Sequence, residues 1–130
     1  MIKRLTIFHL LRTIRNGNYA IVYKKWTGRH WIWLGECEYK EAIRINYNRI
    51  YKLSQEERRN LFVHEFLHAY FDHKNMDKIL CLKDEEFVTD ALSKDICRRS
   101  SKKQLEVLDN LINTSLKKAD RQFKKSKSKR

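Results

Sequence analysis

The sequence predicts a single α+β domain in which a small, mostly antiparallel sheet packs on helices. The chain has 130 residues, of which 42% are hydrophobic, so it can bury one modest core. All three glycines lie within the first 35 residues, and proline is absent. Because glycine and proline supply most turns, the sheet is expected in the first third of the chain and helices in the remainder.

The N-terminal third combines a short helix with strands. Residues 5–15 predict a helix, and Gly17 follows it as the expected stop. Strands are predicted where aromatic and β-branched residues cluster, or where they alternate with polar residues. The predicted strands are residues 19–24, 31–34 and 42–47.

The other two-thirds predict three helices. Ser54 and Glu57 form a capping-box pattern, in which each side chain bonds the backbone N–H of the other residue. A helix should therefore run from residue 55 to about residue 73. Asp84 is expected to cap the next helix. The remaining segments are a helix over residues 85–99, a helix over residues 102–121 with leucines along one stripe, and a disordered end over residues 126–130.

Positive charge is concentrated in the last part of the chain, so we divide the sequence into a domain of residues 1–100 and a basic helix and tail of residues 101–130. The net charge is +13, and residues 98–130 hold 12 lysines and arginines against 3 acidic residues. Such a segment predicts weak, salt-sensitive contact with nucleic acid or an acidic protein surface. No apolar run approaches the roughly 20 residues of a membrane span, so no membrane contact is expected. Three widely spaced cysteines predict reduced thiols and a cytoplasmic location.

Residues 64–68 are His-Glu-Phe-Leu-His, an H-E-x-x-H motif inside a predicted helix. Two histidines four residues apart lie about 40° apart around a helix, so His64 and His68 can ligate one zinc ion. The residue between them, Glu65, is placed to act as a general base on a water held by that ion. The motif therefore predicts a zinc cofactor and a hydrolytic reaction.

A catalytic zinc takes three protein ligands, so the third must come from outside the motif. Glu86 is the preferred candidate, 18 residues after His68 and near the start of the next predicted helix. Asp90, four residues further on, could accept a hydrogen bond from a ligand histidine and fix its tautomer. Glu85 replaces Glu86 if the helix register differs by one residue. His73 is the other alternative, although on an uninterrupted helix it lies about 140° from His68.

The motif and the acidic residues after it resemble a known family. His64-Glu65-x-x-His68 followed by Glu86-x-x-x-Asp90 is similar to the gluzincin branch of the zincin metallopeptidases. The resemblance covers residues 19–96 and is closest to ImmA/IrrE-type and small phage-encoded zincin-like proteins. It implies a minimal zincin-like fold, in which the sheet packs on the motif helix and on a following ligand helix.

Two further segments bear on this resemblance. Those proteins often place a Gly-x-Cys-x-Tyr element and an edge strand before the motif helix, and residues 35–39 and 42–46 match that order. The chain departs from them where they carry Ala-Asn and Phe-Ala pairs in the ligand helix. The pairs at those positions are Thr89-Asp90 and Leu92-Ser93.

The resemblance implies a zinc-dependent peptidase that cleaves a peptide or protein substrate. Glu65 would take a proton from zinc-bound water and pass it to the leaving amine. Tyr70 and Arg44 are both open as the second oxyanion donor. The strand of residues 42–47 could pair along its edge with an extended substrate. A phage-encoded protein of this kind would act in the host cytoplasm.

Two other functions are compatible with the residues. A non-catalytic, zinc-stabilised protein could use its basic tail to bind nucleic acid or a partner protein, although such a site needs no base at Glu65. A zinc-dependent nuclease could use His64, His68 and His73 as ligands. The three-histidine endoribonucleases that this pattern loosely resembles have a glycine between the last two histidines and a small residue in place of the glutamate, and both features are missing here.

Overall fold

The computed structural model describes residues 5–17, 19–25, 35–38, 42–73 and 82–128, without the side chains of residues 35–38, 72–73, 82–86 and 124–128. The elements follow in the order α1 (Ile7–Asn16), β1 (Ala20–Lys24), β2 (Gly35–Glu38), β3 (Ala42–Asn46), α2 (Tyr47–Ile50), α3 (Gln55–His73), α4 (Leu82–Arg99) and α5 (Lys102–Ser128). Helices make up 76% of the described residues, so the predicted α+β class is confirmed with a strongly helical balance.

Helix α1 begins with a capping box that the sequence analysis did not identify. The Thr6 side chain accepts from the backbone N–H of His9, and the His9 ring accepts from the backbone N–H of Thr6. The helix ends at Gly17, as predicted, but Gly17 has a right-handed φ of −85°. Its small size matters instead, because a Cβ there would lie 2.5 Å from the ring of Tyr19.

The sheet is mixed and has the strand order β1-β3-β2. β1 runs parallel to β3, with Ala20 opposite Ala42, while β2 runs antiparallel, with Gly35 opposite Ile45. The predicted mostly antiparallel sheet is therefore not confirmed. The predicted edge position of residues 42–47 is wrong, because β3 lies between the other two strands. β2 runs opposite to β1, and β3 runs opposite to β2, so β3 and β1 point the same way.

Helix α3 is the centre of the core, and its bounds match the prediction from the capping box. Ser54 and Glu57 make both predicted bonds, at 3.2 Å from the Glu57 N–H to Ser54 Oγ and 3.0 Å from the Ser54 N–H to Glu57 Oε1. The helix contacts α1, α4, α5, β2 and β3. A helix surrounded on most sides needs apolar residues around most of its circumference. Its buried apolar residues are Leu61, Phe62, Val63, Phe66, Leu67, Ala69 and Phe71.

Helices α4 and α5 complete the core. α4 begins at Leu82, so the prediction that Asp84 caps it is wrong, and Asp84 lies in the first turn. α5 begins after a Ser101 cap and extends to Ser128, longer than the predicted helix over residues 102–121. The leucine stripe of α5 packs into the same core as α3. The predicted disordered end over residues 126–130 is wrong for residues 126–128, because they belong to α5. Residues 129–130 and the predicted strand over residues 31–34 lie outside the described residues.

The sequence predicted neither a membrane-spanning segment nor a disulfide bond. Within them, no helix combines the length and the apolar character that crossing a membrane requires. Cys97 is a free, half-buried cysteine, and burial raises the pKa of its thiol to about 11. The side chains of Cys37 and Cys81 lie outside the description.

Candidate metal centre

The motif histidines lie on the least buried stripe of α3. Asn60, His64 and His68 follow one another at intervals of four residues, so they stack along one side of the helix. All three are partly exposed, whereas the helix is otherwise buried through most of its length after Arg59. Among the described residues after Arg59, this stripe and Tyr70 are the partly exposed positions of α3, so the histidine stripe is accessible to a ligand.

The two imidazole rings converge. Nε2 of His64 lies 3.2 Å from Nε2 of His68, and the ring centroids are 4.8 Å apart with the ring planes at 70°. Zinc held at about 2.0–2.1 Å by two nitrogens in tetrahedral geometry places those nitrogens about 3.3 Å apart. The spacing of the two Nε2 atoms therefore fits a shared zinc ion.

Asp90 of α4 fixes the orientation of the first histidine. Its Oδ1 lies 2.9 Å from Nδ1 of His64. A carboxylate can only accept here, so Nδ1 carries the proton and donates it. In the neutral ring Nε2 then carries the lone pair, which is the protonation state that a zinc ligand needs. This is the contact expected of Asp90 from the sequence, although its effect on a metal stays a prediction.

Glu65 is buried beside this pair. Glu65 is only 4% exposed. It nevertheless borders a cleft of about 420 Å³ between α3 and α4. His64 borders the same cleft, whereas His68 does not. A carboxylate that is largely excluded from bulk solvent but open to a cleft is well placed to exchange a proton with a molecule bound there.

The cleft also contains residues that the sequence analysis did not select. Asn60 and Glu57 of α3, Ser93 and Lys94 of α4, and Leu53 all border it. Asn60 and Lys94 could have been found from helical spacing, because each lies four residues from a selected residue. Leu53 could not, since it comes from the turn before α3. The Ser54 backbone and side-chain donors lower the pKa of Glu57, so this carboxylate is held in its charged form.

For the three candidate third ligands, the structure describes the backbone but not the side chains. Glu86 and Glu85 belong to α4 and His73 ends α3, but their side chains are outside the description. Within the described side chains, histidine, cysteine and acidic residues form no group of three that could hold a metal. The site is therefore defined by His64 and His68, and the choice of third ligand stays a prediction.

Neither of the predicted oxyanion donors borders the cleft. Tyr70 lies about 200° around α3 from His68 and packs edge-on against Phe71, at 6.0 Å between ring centroids. Arg44 lies in β3 between Ile43 and Ile45, and because side chains alternate along a strand it faces away from those buried residues. Lys94 is the described cationic residue that borders the cleft.

Comparison of the chain with protein-family models, curated proteins and solved structures gives no match. What the chain does is therefore inferred from its own residues.

Proposed function

We propose that this chain is a zinc-dependent peptidase with a minimal zincin-like fold. In this proposal His64, His68 and Glu86 hold the metal, Glu65 is the general base, and Asp90 positions His64. The single observation that carries the proposal is the convergence of the two Nε2 atoms at 3.2 Å on the open side of α3. The Asp90 contact adds to it, because that contact directs the His64 lone pair toward the same point.

Helical geometry favours Glu86 over Glu85 as the third ligand. Because Asp90 contacts the first motif histidine, the side of α4 that carries Asp90 is the side next to the site. Position 86 lies about 40° from Asp90 around the α4 axis, whereas position 85 lies about 140° away. A ligand at position 86 therefore needs no rearrangement of α4.

The same argument disfavours a third histidine ligand. α3 continues without a break through His73, which places that position about 140° around the axis from His68. A three-histidine site, which the nuclease alternative requires, would need the helix to bend between the two residues.

The chemistry follows from the placement of the residues. His64, His68 and Glu86 would hold a zinc ion whose chemistry, when bound, would be to lower the pKa of a water molecule and to polarise a carbonyl. Glu65 accepts the proton of the attacking water and passes it to the leaving amine, so one carboxylate acts first as a base and then as an acid. Its burial keeps it in place beside the cleft and limits exchange of the proton with bulk solvent.

An extended peptide is the substrate that the surroundings of α3 favour. β2 is a terminal strand among the described strands, and it packs against α3. An extended chain can add to such an edge by backbone hydrogen bonds, which a compact small molecule cannot do. β2 therefore replaces the strand of residues 42–47 as the proposed docking edge for substrate.

The decisive experiment separates zinc binding from catalysis. Purified parent, Glu65→Gln and Glu57→Gln proteins are loaded with zinc, and metal content and cleavage of a fluorogenic peptide library are measured. Glu65→Gln should retain about one zinc per chain and lose at least about 100-fold in rate, because it removes the base but no ligand. Glu57→Gln is the matched control, since it makes the same chemical change on the same helix and in the same cleft.

The control should keep its rate within about threefold of the parent, because glutamine can still close the capping box. Equal losses in both variants would contradict the role given to Glu65. Zinc retention without cleavage by the parent would favour the non-catalytic alternative.

A further inference from the structure

A second concave surface lies between β1 and α5. It shares no residue with the cleft between α3 and α4 that His64 and Glu65 border. It is a groove of about 640 Å³. Ile21, Val22 and Tyr23 all border it, although successive side chains of a strand point to opposite faces. The groove therefore runs along the edge of β1 and not over one face of the sheet. That edge is the outer one, because β1 is terminal among the described strands.

The other wall of the groove is one face of α5. Asn110, Thr114, Lys118 and Gln122 border it at intervals of four residues, so the wall spans three helical turns, or about 18 Å. The five residues of β1 extend over about 16 Å. The two walls are matched in length, and a groove of this length accommodates about five residues of extended chain.

The base of the groove joins its two walls. Tyr23 Oη and Ser115 Oγ lie 2.8 Å apart and share a hydrogen bond between β1 and α5. Burial raises the pKa of Tyr23 to about 12, so the hydroxyl stays protonated and available for this bond. The groove is consequently preformed, and a bound segment need not force the strand and the helix apart.

The charges around the groove are positive. Lys118 lies on its helical wall and Lys24 is exposed at the end of β1. The described residues that border the groove include no acidic side chain. Two acidic residues of α5 adjoin this wall in sequence. Asp109 accepts hydrogen bonds from Gln55 and Arg59, and Asp120 accepts from Tyr47 and Tyr51. Together with a net charge of +13, this surface complements a negatively charged segment.

We propose that an extended acidic segment of a partner protein binds this groove as an added strand on the outer edge of β1. Backbone hydrogen bonds to β1 supply the affinity, and the apolar and cationic residues of the groove select alternating apolar and acidic side chains. The site does not depend on the metal centre, so the proposal stands or falls separately from the peptidase activity.

The test uses a fluorescein-labelled peptide of eight alternating valine and glutamate residues and measures anisotropy with the full chain. Two further peptides carry N-methyl groups on either the odd or the even backbone amides. Strand addition predicts that one of these two loses at least about tenfold in affinity, while the other binds nearly as well as the unmodified peptide. Only one set of amides faces β1, because N–H groups alternate in direction along a strand. Binding should also slow amide exchange in β1.

Variants of the chain locate the binding surface. Lys118→Glu should weaken binding by about fivefold, and Thr114→Trp should block it, because Thr114 is exposed and its replacement fills the groove without entering the core. Lys102→Glu makes the same charge change on α5, eight residues before the groove begins, and should have less than about a twofold effect. Thermal unfolding of each variant verifies that it is folded.

Several outcomes would overturn the proposal. One is equal binding of all three peptides, and another is equal loss in Lys118→Glu and Lys102→Glu. A third is displacement of the peptide by an eight-nucleotide oligothymidylate as effectively as by unlabelled peptide. That result would assign the surface to nucleic acid, which binds by charge without pairing to a strand.

Discussion

At the scale of single residues, Asp90 has the most specific contact in the candidate site. Its side chain is 65% exposed, so it contributes little to the core, and its described contact is with Nδ1 of His64. Asp95, five residues further along the same helix, pairs instead with Arg98 and Arg99, and these contacts lower its pKa. The two aspartates thus provide a matched pair for testing the positioning role.

Asp90→Asn should weaken zinc binding by about 10- to 100-fold with little change in thermal stability. The amide is a poorer acceptor for the imidazole N–H and leaves the ring less basic and less well oriented. Competition with a chromophoric chelator measures the affinity. Asp95→Asn should bind zinc as the parent does, and similar affinities for both variants would contradict the role of Asp90.

The sequence predicts which residues share one side of a helix, because helical spacing alone determines that geometry. The intervals between His64 and His68 and between Glu86 and Asp90 place residues on one side of a helix whatever the tertiary fold. Helical spacing gives no such guidance for Tyr70 and Arg44, because proximity to a cleft depends on how the elements pack against one another. It could not find Leu53, which reaches the cleft only through the turn before α3.

At the scale of elements, the start of α3 is fixed by Ser54 and Glu57. Donation from the Ser54 backbone N–H and hydroxyl holds the pKa of Glu57 below its ordinary value of 4.5. Because the folded-state pKa is lowered, the charged form stabilises the fold. That contribution is complete above the unfolded-state pKa and is lost as the pH falls through the folded-state value.

Acidification should therefore reduce the difference in stability between the parent and Glu57→Gln. The parent should melt at a higher temperature near pH 6, and the difference should decline below about pH 4. Thermal unfolding followed by circular dichroism at several pH values measures it. The exposed Glu106→Gln variant controls for general charge effects, and a difference that grows on acidification would contradict the capping account.

Local signals determined some elements and not others. The capping box predicted the start of α3, because its bonds lie within four residues. α4 begins at Leu82, before Asp84, because a capping residue favours a helix start but does not by itself fix where the helix begins. The order of the strands could not be predicted, since pairing of β1 with β3 depends on contacts between residues more than 20 positions apart.

At the scale of the whole molecule, α5 is part of the core and not an appended tail. Leu108, Ile112 and Leu116 are buried against the rest of the chain. Asp109 anchors the helix from outside, accepting from Arg59 Nε at 2.8 Å and from Gln55 Nε2 at 2.9 Å. Removal of α5 would expose the core, so tests of the basic segment should use charge substitutions in place of truncation.

Asp109→Asn should lower the free energy of unfolding by about 1–2 kcal/mol, because it removes a charge-assisted, two-point hydrogen bond to a partly buried Arg59. Chemical denaturation with urea measures the change. Glu106→Gln, an exposed substitution on the same helix, should change stability by less than about 0.5 kcal/mol. Equal stability of the two variants would show that α5 is held by its apolar face alone.

The most direct test of the metal centre is the zinc stoichiometry of the chain after loading and removal of excess metal. The parent should hold about one zinc per chain, while His64→Ala and His68→Ala should each hold less than about a tenth of that, since two ligands cannot retain the ion. His9→Ala, a histidine that caps α1, should bind as the parent does. A parent free of zinc, or full occupancy in both ligand variants, would contradict the account.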